Sequence, residues 1–328
     1  MSKQRLTISM SPYDRVLPLM LGEVSVKGID LTWSHGEVEE GFWRMLHTGE
    51  LNACEFSMSS YLMLQDKGDH DLTAIPVFSR MFRHGAIYVH TASGIREPRD
   101  LVGKKVGVSE YQVTAALWVR GILQHEYGVH PSDMLWFEGP LESAVERRVH
   151  LNLAYDRPSR PIQEHQTLNQ MLLDGEIDAL VSARAPSAFL QKDDRVRRLF
   201  ANPMEVEQAY FRKTGFFPIM HTLVLRGEVL RRAPWIAQNL YTAFDEAKRR
   251  CLAELAQSGA PKAIYPWLGH AVEQARNLMG VDYMPYGVAE NREILSAMVQ
   301  YACEQGLISR VISLEELFFP PTLDEFRV

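Results

Sequence analysis

The fold is decided by residues 101–128, LVGKKVGVSEYQVTAALWVRGILQHEYG, which predict a buried strand, a short polar turn and a helix. The run from Lys105 to Val108 is typical of a buried strand. After the turn, apolar or small residues recur at helical spacing, at Val113, Ala116, Leu117, Val119 and Leu123. Ser109 is placed to cap this helix, with Gln112 three positions later as in a capping box.

The turn between this strand and helix is a candidate ligand site. A helix N-terminus at the carboxyl end of a strand presents free N–H groups and a partial positive charge, which favour an anion. In open α/β sheets, ligands bind at such strand ends. Glu110, Tyr111, Gln112 and Thr114 crowd the turn. We therefore expect a small carboxylated ligand to dock here.

Length, composition and charge indicate a two-lobed protein of ordinary globular type. The chain has 328 residues, of which 46% are hydrophobic and 23% charged, and this length suits two cores better than one. A net charge of −6, without basic runs, argues against a nucleic-acid partner. Cys54, Cys251 and Cys303 form no zinc or redox spacing, which indicates a reducing compartment.

The N-terminal sequence predicts a cytoplasmic location. Met1 to Met10 contains no apolar run long enough for a signal peptide. No stretch of the chain approaches the ~20 apolar residues that span a bilayer, so no membrane contact is expected. The removal of a leader from the chain would change this interpretation.

The first part of the chain predicts alternating strands and helices. Leu6 to Met10 is typical of a strand, and a helix is expected to follow with Ser11 as N-cap, Pro12 in the first turn and an end at Gly22. Strands are also expected near Leu31–Trp33 and, further on, at 75–77, 86–89, 179–182 and 196–200. The ranges 40–47, 165–173, 234–255 and 292–305 predict helices.

An eight-residue echo suggests two related lobes. Leu46 to Ala53 reads LHTGELNA, and Leu172 to Ala179 reads LLDGEIDA. Each predicts a helix end, a glycine stop and a strand that enters the core. Lobe I is predicted to comprise residues 1–90 and 205–328, and lobe II residues 91–204. The chain is then expected to cross between lobes near Thr91 and again over 202–210, with the ligand in the cleft between a central sheet in each lobe.

The chain resembles a known family in these same stretches. GIREPRDLVGKKVGV and the LxxGEIDA pattern resemble the second lobe of type II periplasmic-binding-protein folds. More narrowly, the chain resembles the 4,5-dihydroxyphthalate decarboxylase family. The stretches that carry this resemblance are SPYDRVLPLMLGEV, EFSMSSYL, FSRMFRHGAIYV, GVSEYQVTAALWVRGIL and TGFFPIMH. It implies a cytoplasmic enzyme that removes one carboxylate from a dihydroxylated phthalate to give protocatechuate, without an organic cofactor.

The implied reaction sets chemical requirements. A ring hydroxyl pushes electrons into the ring, a proton arrives at the carbon that bears the leaving carboxylate, and carbon dioxide departs. The protein must anchor the retained carboxylate, accept or share the phenolic proton and supply the ring proton. General acid and base groups each contribute ~10²–10⁴-fold, and positioning and electrostatics contribute much of the rest.

Arginine is the natural carboxylate anchor, because its planar fork matches both oxygens. Arg15, Arg80, Arg83 and Arg184 lie near predicted strand ends or connecting loops, where a cleft is expected. Each is a candidate substrate ligand or, alternatively, a surface arginine. Arg80 and Arg184 are preferred because they are placed closest to strand ends.

Two histidines are candidate donors of the ring proton, since histidine titrates near neutrality. His84 lies in the FRHG loop, and His221 ends FPIMH. His84 is preferred because its loop is more polar. The alternative for each is a core histidine bonded to backbone. No metal site is expected, because the spacing of these histidines relative to Asp14 or Glu110 matches no known motif.

Asp14 and Glu110 are candidate acceptors of the phenolic proton, and Asp14 has a competing role in the helix cap. The remaining candidate substrate contacts are Ser59 and Thr114 as hydrogen-bond donors, Tyr111 as a stacking ring, and Gln112. Each of these also has a purely structural interpretation.

Two other functions remain open. A non-catalytic carboxylate-binding or sensing protein needs the same arginines, and a biosynthetic enzyme of the pyrimidine-precursor type needs its own metal. A homo-oligomer is possible, but the sequence marks no interface.

Overall fold

The computed structural model describes residues 3–68, 70–143, 158–257, 259 and 262–323, and these form two sheets flanked by helices. The strands are β1 (Gln4–Ser9), β2 (Ile29–Ser34), β3 (Ala53–Ser57), β4 (Leu72–Arg80), β5 (Ile87–His90), β6 (Lys105–Val108), β7 (Leu135–Glu138), β8 (Arg160–Pro161), β9 (Ala179–Val181), β10 (Val196–Arg198) and β11 (Ile219–Arg226). The helices are α1 (Leu17–Met20), α2 (Val38–His47), α3 (Met58–Lys67), α4 (Thr114–Tyr127), α5 (Leu168–Leu173), α6 (Ser187–Leu190), α7 (Pro203–Thr214), α8 (Gly227–Arg232), α9 (Trp235–Leu255), α10 (Leu268–Met279), α11 (Arg292–Glu304) and α12 (Leu314–Leu317).

Both sheets are mixed. The first has the order β2-β1-β3-β11-β4 and the second β10-β5-β9-β6-β7-β8. In the first, β1, β2 and β3 are parallel and β11 runs antiparallel between β3 and β4. All five residues of β3 are buried, as expected for a central strand with both faces covered by other elements. The carboxyl ends of β1, β3 and β4 therefore lie along one edge.

The strand predicted at Lys105–Val108 is confirmed as β6. The helix after it is also confirmed, and it ends at Gly128 in the left-handed conformation, with φ of 68°. Its predicted start is wrong, because α4 begins at Thr114 with Val113 as N-cap and no side-chain cap. Gln112 bonds Glu110 instead, so the sequence from Ser109 to Gln112 forms a turn rather than a capping box.

Helix α4 joins the two sheets. All of its residues from Thr114 to Leu123 are buried. Trp118 donates from Nε1 to the Ile219 carbonyl of β11, 2.8 Å away, and its ring meets Tyr301 of α11 edge-on. Gly121 also lies against Tyr301, where a Cβ would come within 2.1 Å of the ring. The helix that follows a strand of the second sheet is therefore packed into the core of the first.

The eight-residue echo has the predicted structure in both copies. Helix α2 ends at His47, Gly49 has φ of 71° and β3 begins at Ala53. Helix α5 ends at Leu173, Gly175 has φ of 70° and β9 begins at Ala179. Each strand lies between one parallel and one antiparallel neighbour, so the two segments occupy equivalent places in their sheets.

The chain crosses between sheets earlier than expected. Strand β5 pairs with β9 and β10 of the second sheet, so the crossing lies at 81–86 rather than near Thr91. The return runs through α7, close to the expected 202–210. The division into lobes at 90/91 and 204/205 stays a prediction, and β5 belongs with the second sheet.

The helix expected to start at Ser11 is shorter than predicted. Helix α1 spans only Leu17–Met20, because the residues before it turn towards a buried carboxylate. The Ser11 N–H and the Tyr13 hydroxyl both donate to Glu55. Among the described residues, no helix is both long and apolar enough to cross a membrane. The cytoplasmic location stays a prediction.

Candidate active site

A buried carboxylate and a histidine lie side by side at the carboxyl edge of the first sheet. In the register of the sheet, His221 of β11 is the neighbour of Ser57 on β3 and of Ser79 on β4. Because side chains alternate along strands, these three residues and Glu55 lie on one face. Three strands distant in sequence thus bring four polar side chains together.

Glu55 is the centre of this group and is 2% exposed. Its Oε1 accepts hydrogen bonds from Ser79 Oγ at 2.6 Å and from Tyr13 Oη at 2.9 Å, and lies 2.8 Å from His221 Nδ1. Burial alone would raise the pKa of the Glu55 carboxyl, but the bonds from His221, Ser79 and Tyr13 hold it below its ordinary value. Glu55 is therefore a carboxylate that fixes the orientation of the histidine ring.

His221 is positioned to act on a ligand through its other ring nitrogen. Its Nδ1 faces Glu55, and the side chain is 22% exposed. The Phe42 ring packs edge-on against it, with 5.2 Å between the ring centres. A carboxylate on one nitrogen selects the tautomer and stabilises the charged ring when a proton is held. Nε2 is thus the atom available for proton transfer.

Two buried arginines contact residues that adjoin this pair, Arg15 at Ser79 and Arg83 at Met220, the residue before His221. Arg15 donates from Nη2 to Ser79 Oγ at 2.7 Å, its guanidinium stacks 4.2 Å from the Tyr13 ring centre, and its Nε lacks a partner. Arg83 bonds Met220 Sδ, and burial lowers its pKa to about 10. Within the part of the chain that the structure describes, neither guanidinium forms an ion pair with a carboxylate. A buried cation that forms no ion pair favours an anionic ligand, although the charge of Glu207 acts on Arg83 from a distance.

The predicted turn of the second sheet packs directly on this edge. Thr114 Oγ1 lies 3.0 Å from both Ser57 Oγ and Ser59 Oγ. Ser59 Oγ also donates to the Gln112 carbonyl at 2.5 Å. Ser59 and Thr114 thus hold the two sheets together beside His221. Glu110 lies in the same turn, bonded to the Gln112 side chain.

The predicted catalytic role of His84 requires a polar loop, but the structure buries this histidine. It is 1% exposed, packed edge-on against Phe200 and Tyr210, and neither ring nitrogen has a partner among the described residues. Burial lowers its pKa to about 4. The ring is therefore neutral near neutrality, which favours His221 as the proton donor.

Two further candidates are occupied by other contacts. Asp14 is exposed and accepts the backbone N–H of Arg15. It also lies close to Cys251 on α9, whose pKa is raised to about 12 by burial and by the charge of Asp14. Tyr111 is 2% exposed and faces the second sheet, where Arg120 stacks 3.6 Å from its ring centre. The geometry thus favours neither as a substrate contact.

Arg184 and Arg80 make other contacts. Arg184 bridges from the second sheet to Glu37 and Glu39 beside α2, at 3.2 and 3.0 Å, and is 60% exposed. Arg80 follows Ser79, so its side chain points to the opposite face of the sheet. Arg184 thus pairs with carboxylates on the side of the first sheet, and Arg80 faces away from Ser79.

Sequence reasoning missed Glu55, Tyr13 and Ser79. A signal for Glu55 was present, since ACEFS is an otherwise apolar strand and a charge within a buried strand requires partners. Tyr13 and Ser79 carried no such signal. Among the described residues, no group of three or more His, Cys, Asp or Glu side chains is arranged to hold a metal ion.

Comparison with solved structures defines the class of the protein. The periplasmic aliphatic sulphonate binding protein SsuA of Escherichia coli matches with a TM-score of 0.54 over 100% of this chain and 95% of its own, at 14% identity. The desulfurization enzyme DSZB matches with a TM-score of 0.54 over 98% of both chains, at 15% identity. These matches confirm the predicted α/β fold of the type II periplasmic-binding-protein class.

Sequence comparison identifies the family. The 4,5-dihydroxyphthalate decarboxylase of Comamonas testosteroni is 37% identical over 330 aligned positions, covering 100% of both chains. No family model matches the chain. The chain belongs to the 4,5-dihydroxyphthalate decarboxylase family, which confirms the predicted resemblance and the class of carbon–carbon lyases.

Proposed function

We propose that this protein decarboxylates a hydroxylated aromatic dicarboxylate such as 4,5-dihydroxyphthalate, giving protocatechuate. The observation that carries the proposal is the buried Glu55–His221 pair, with Arg15 bonded to its partner Ser79 and Arg83 bonded to Met220, the residue before His221. The family relative with this activity spans the whole chain. The site offers a proton source next to cations, as the reaction requires.

In the proposed reaction, His221 protonates the ring carbon that bears the leaving carboxylate. Electrons from the ring hydroxyl para to that carbon support the new C–H bond, and Glu110 is the candidate acceptor of the phenolic proton. The bond to the carboxylate carbon then breaks, its electron pair restores the aromatic ring, and carbon dioxide departs. The phenolate oxygen takes its proton back from Glu110. Solvent returns a proton to His221, so the net change exchanges CO2 for one proton.

Arg15 and Arg83 are proposed to hold the substrate carboxylates. Their burial makes a bond to a carboxylate stronger than it would be in water. Glu55 keeps His221 in one orientation and stabilises the positive charge of its protonated ring. Ser59, Gln112 and Thr114 close the site from the side of the second sheet.

Turnover in deuterium oxide tests this proposal. Incubation with 4,5-dihydroxyphthalate should release CO2 and give protocatechuate with one deuterium at the vacated ring position. His221→Gln should lower kcat by ~10²-fold or more. His125→Gln is the matched control, because His125 also faces a carboxylate, Glu304 Oε2 at 2.7 Å, but on the outer side of α4.

Saturable binding of hydroxyphthalates without CO2 release would favour a non-catalytic carboxylate binder instead. Turnover that is equally fast in His221→Gln and the wild type would remove this histidine from the mechanism.

A further inference from the structure

A cavity lies apart from the Glu55–His221 pair. It has a volume of about 430 Å³, within the ~300–1,000 Å³ usual for small-molecule sites. It is enclosed by the end of α7 and the segment after it, the loop after α10 and the start of α11. Its walls include Arg80, Phe211, Phe216, Phe217, Tyr283 and Asn291. Neither Glu55 nor His221 lines it.

Arg80 is the charged group at this cavity. It is 9% exposed, and it donates to the carbonyls of Phe217 at 2.7 Å and Pro285 at 2.9 Å and to the Asn291 side chain. All three acceptors are neutral, and Nε has no partner. Within the described ranges, no carboxylate forms an ion pair with this guanidinium. The guanidinium is thus held rigidly by neutral groups, and the charge of Asp282 at the rim acts on it without an ion pair.

The N-terminus of α11 adds to the same positive region. This helix has 13 residues, and its N-cap residue Asn291 makes no side-chain capping bond. The Asn291 side chain instead accepts from Arg80 and donates to the carbonyls of Pro285 and Gly287. Asn291, Arg292, Glu293 and Ile294 all line the cavity. An uncapped helix N-terminus beside a buried guanidinium favours an anion.

The rest of the cavity restricts which anion fits. Phe211, Phe216 and Phe217 supply aromatic walls suited to a planar ring. Three acidic residues lie at the exposed rim, Glu290, Glu293 and Asp282, and Asp282 pairs with Lys248. Arg292, also at the rim, is bonded to Glu315. This acidic rim disfavours a second negative charge on the ligand.

We propose that this cavity binds a small aromatic monocarboxylate, with its carboxylate on Arg80 and its ring between the phenylalanines. The site is separate from the one assigned to the reaction, because Ser79 and Arg80 point to opposite faces of β4. Binding here does not depend on whether the protein is a decarboxylase.

Calorimetric titration with benzoate tests the proposal, with phthalate as the dicarboxylate comparison. Arg80→Gln should weaken benzoate binding at least ~10-fold, because a charge-assisted bond to a carboxylate is lost. Arg292→Gln makes the same chemical change at the rim and should alter the Kd less than ~2-fold. The benzoate site that Arg80→Gln weakens should keep its Kd in Arg83→Gln, which should affect only a benzoate site at the Glu55–His221 pair, and phthalate should bind this cavity more weakly.

Ala289→Trp keeps the test valid if Arg80→Gln fails to fold. Ala289 is exposed and lines the cavity, so a large ring there should fill it and abolish binding with Arg80 intact. Wild-type benzoate affinity in Ala289→Trp overturns the proposal, as does a loss of binding confined to Arg83→Gln. Phthalate that binds the cavity as tightly as benzoate overturns the selectivity for one carboxylate.

Discussion

Replacement of Glu55 by glutamine tests the proposed site most directly. The substitution keeps the shape of the side chain and removes its charge. Three side-chain partners, Tyr13, Ser79 and His221, converge on Oε1. A hydrogen bond to a charged group contributes about 1 kcal/mol more than a neutral one, so about 3 kcal/mol is lost in gross terms. The neutral glutamine avoids the cost of burying a charge, and this offsets part of the loss. The net destabilisation should be about 1–3 kcal/mol.

The effect on activity should be larger than the effect on substrate binding. Without the carboxylate, His221 loses both its fixed orientation and the group that stabilises its charge. We expect kcat to fall ~10²-fold or more, with KM changed less than ~3-fold. Steady-state assays of CO2 release measure both constants. Asp14→Asn is the control, since Asp14 is exposed and faces α9, and it should retain wild-type kcat.

The pH dependence of stability provides a second readout. The pKa of Glu55 is lower in the folded protein than its ordinary value of 4.5. Its charge therefore stabilises the fold above that value, and the contribution is lost as pH falls through the folded pKa. Urea unfolding should show a wild-type advantage over Glu55→Gln near pH ~7 that shrinks near pH ~3.5. Wild-type kcat in Glu55→Gln together with a large loss in Asp14→Asn would refute the assignment.

Four further substitutions test other parts of the structure. His84 has a pKa of about 4 in the fold against 6.5 when unperturbed, so the wild type should lose about 3 kcal/mol of stability as pH falls from above 6.5 through 4. His84→Leu should remove that loss in urea titrations and keep kcat within ~3-fold of the wild type. A variant that folds but is inactive would show that the imidazole ring is needed for the reaction. Gly121→Ala should cost about 1–3 kcal/mol in thermal unfolding, because the added Cβ overlaps the Tyr301 ring. Gly128→Ala, which meets no neighbouring atom, should cost about 1 kcal/mol for its positive φ, and equal costs would contradict the packing argument. Arg184→Ala should change stability by less than ~1 kcal/mol, because its ion pairs are exposed, and a large rise in KM would return it to the substrate site.

The sequence predicted the presence of strands and helices better than the residues at which they begin and end. Strand β6 and helix α4 were evident because apolar periodicity reports which faces are buried. The start of α4 was misplaced because Ser109 and Gln112 have the spacing of a capping box, while in three dimensions Gln112 bonds Glu110. Similarly, Ser11 and Pro12 are typical of a helix start, yet this segment turns towards Glu55. Local cap patterns do not report such distant partners.

The amino-acid sequence by itself determined the two-lobed α/β class, the equivalent placement of β3 and β9 and the family, because these depend on local periodicity and on similarity along the whole chain. The tertiary structure decided which polar residues meet. Glu55, Ser79 and His221 lie on three strands and become neighbours only through the register of the sheet. The alternation along β4 turns Arg80 away, and the turn before α1 brings Arg15 to Ser79. Since side chains alternate along a strand, one position decides which face of the sheet a side chain occupies.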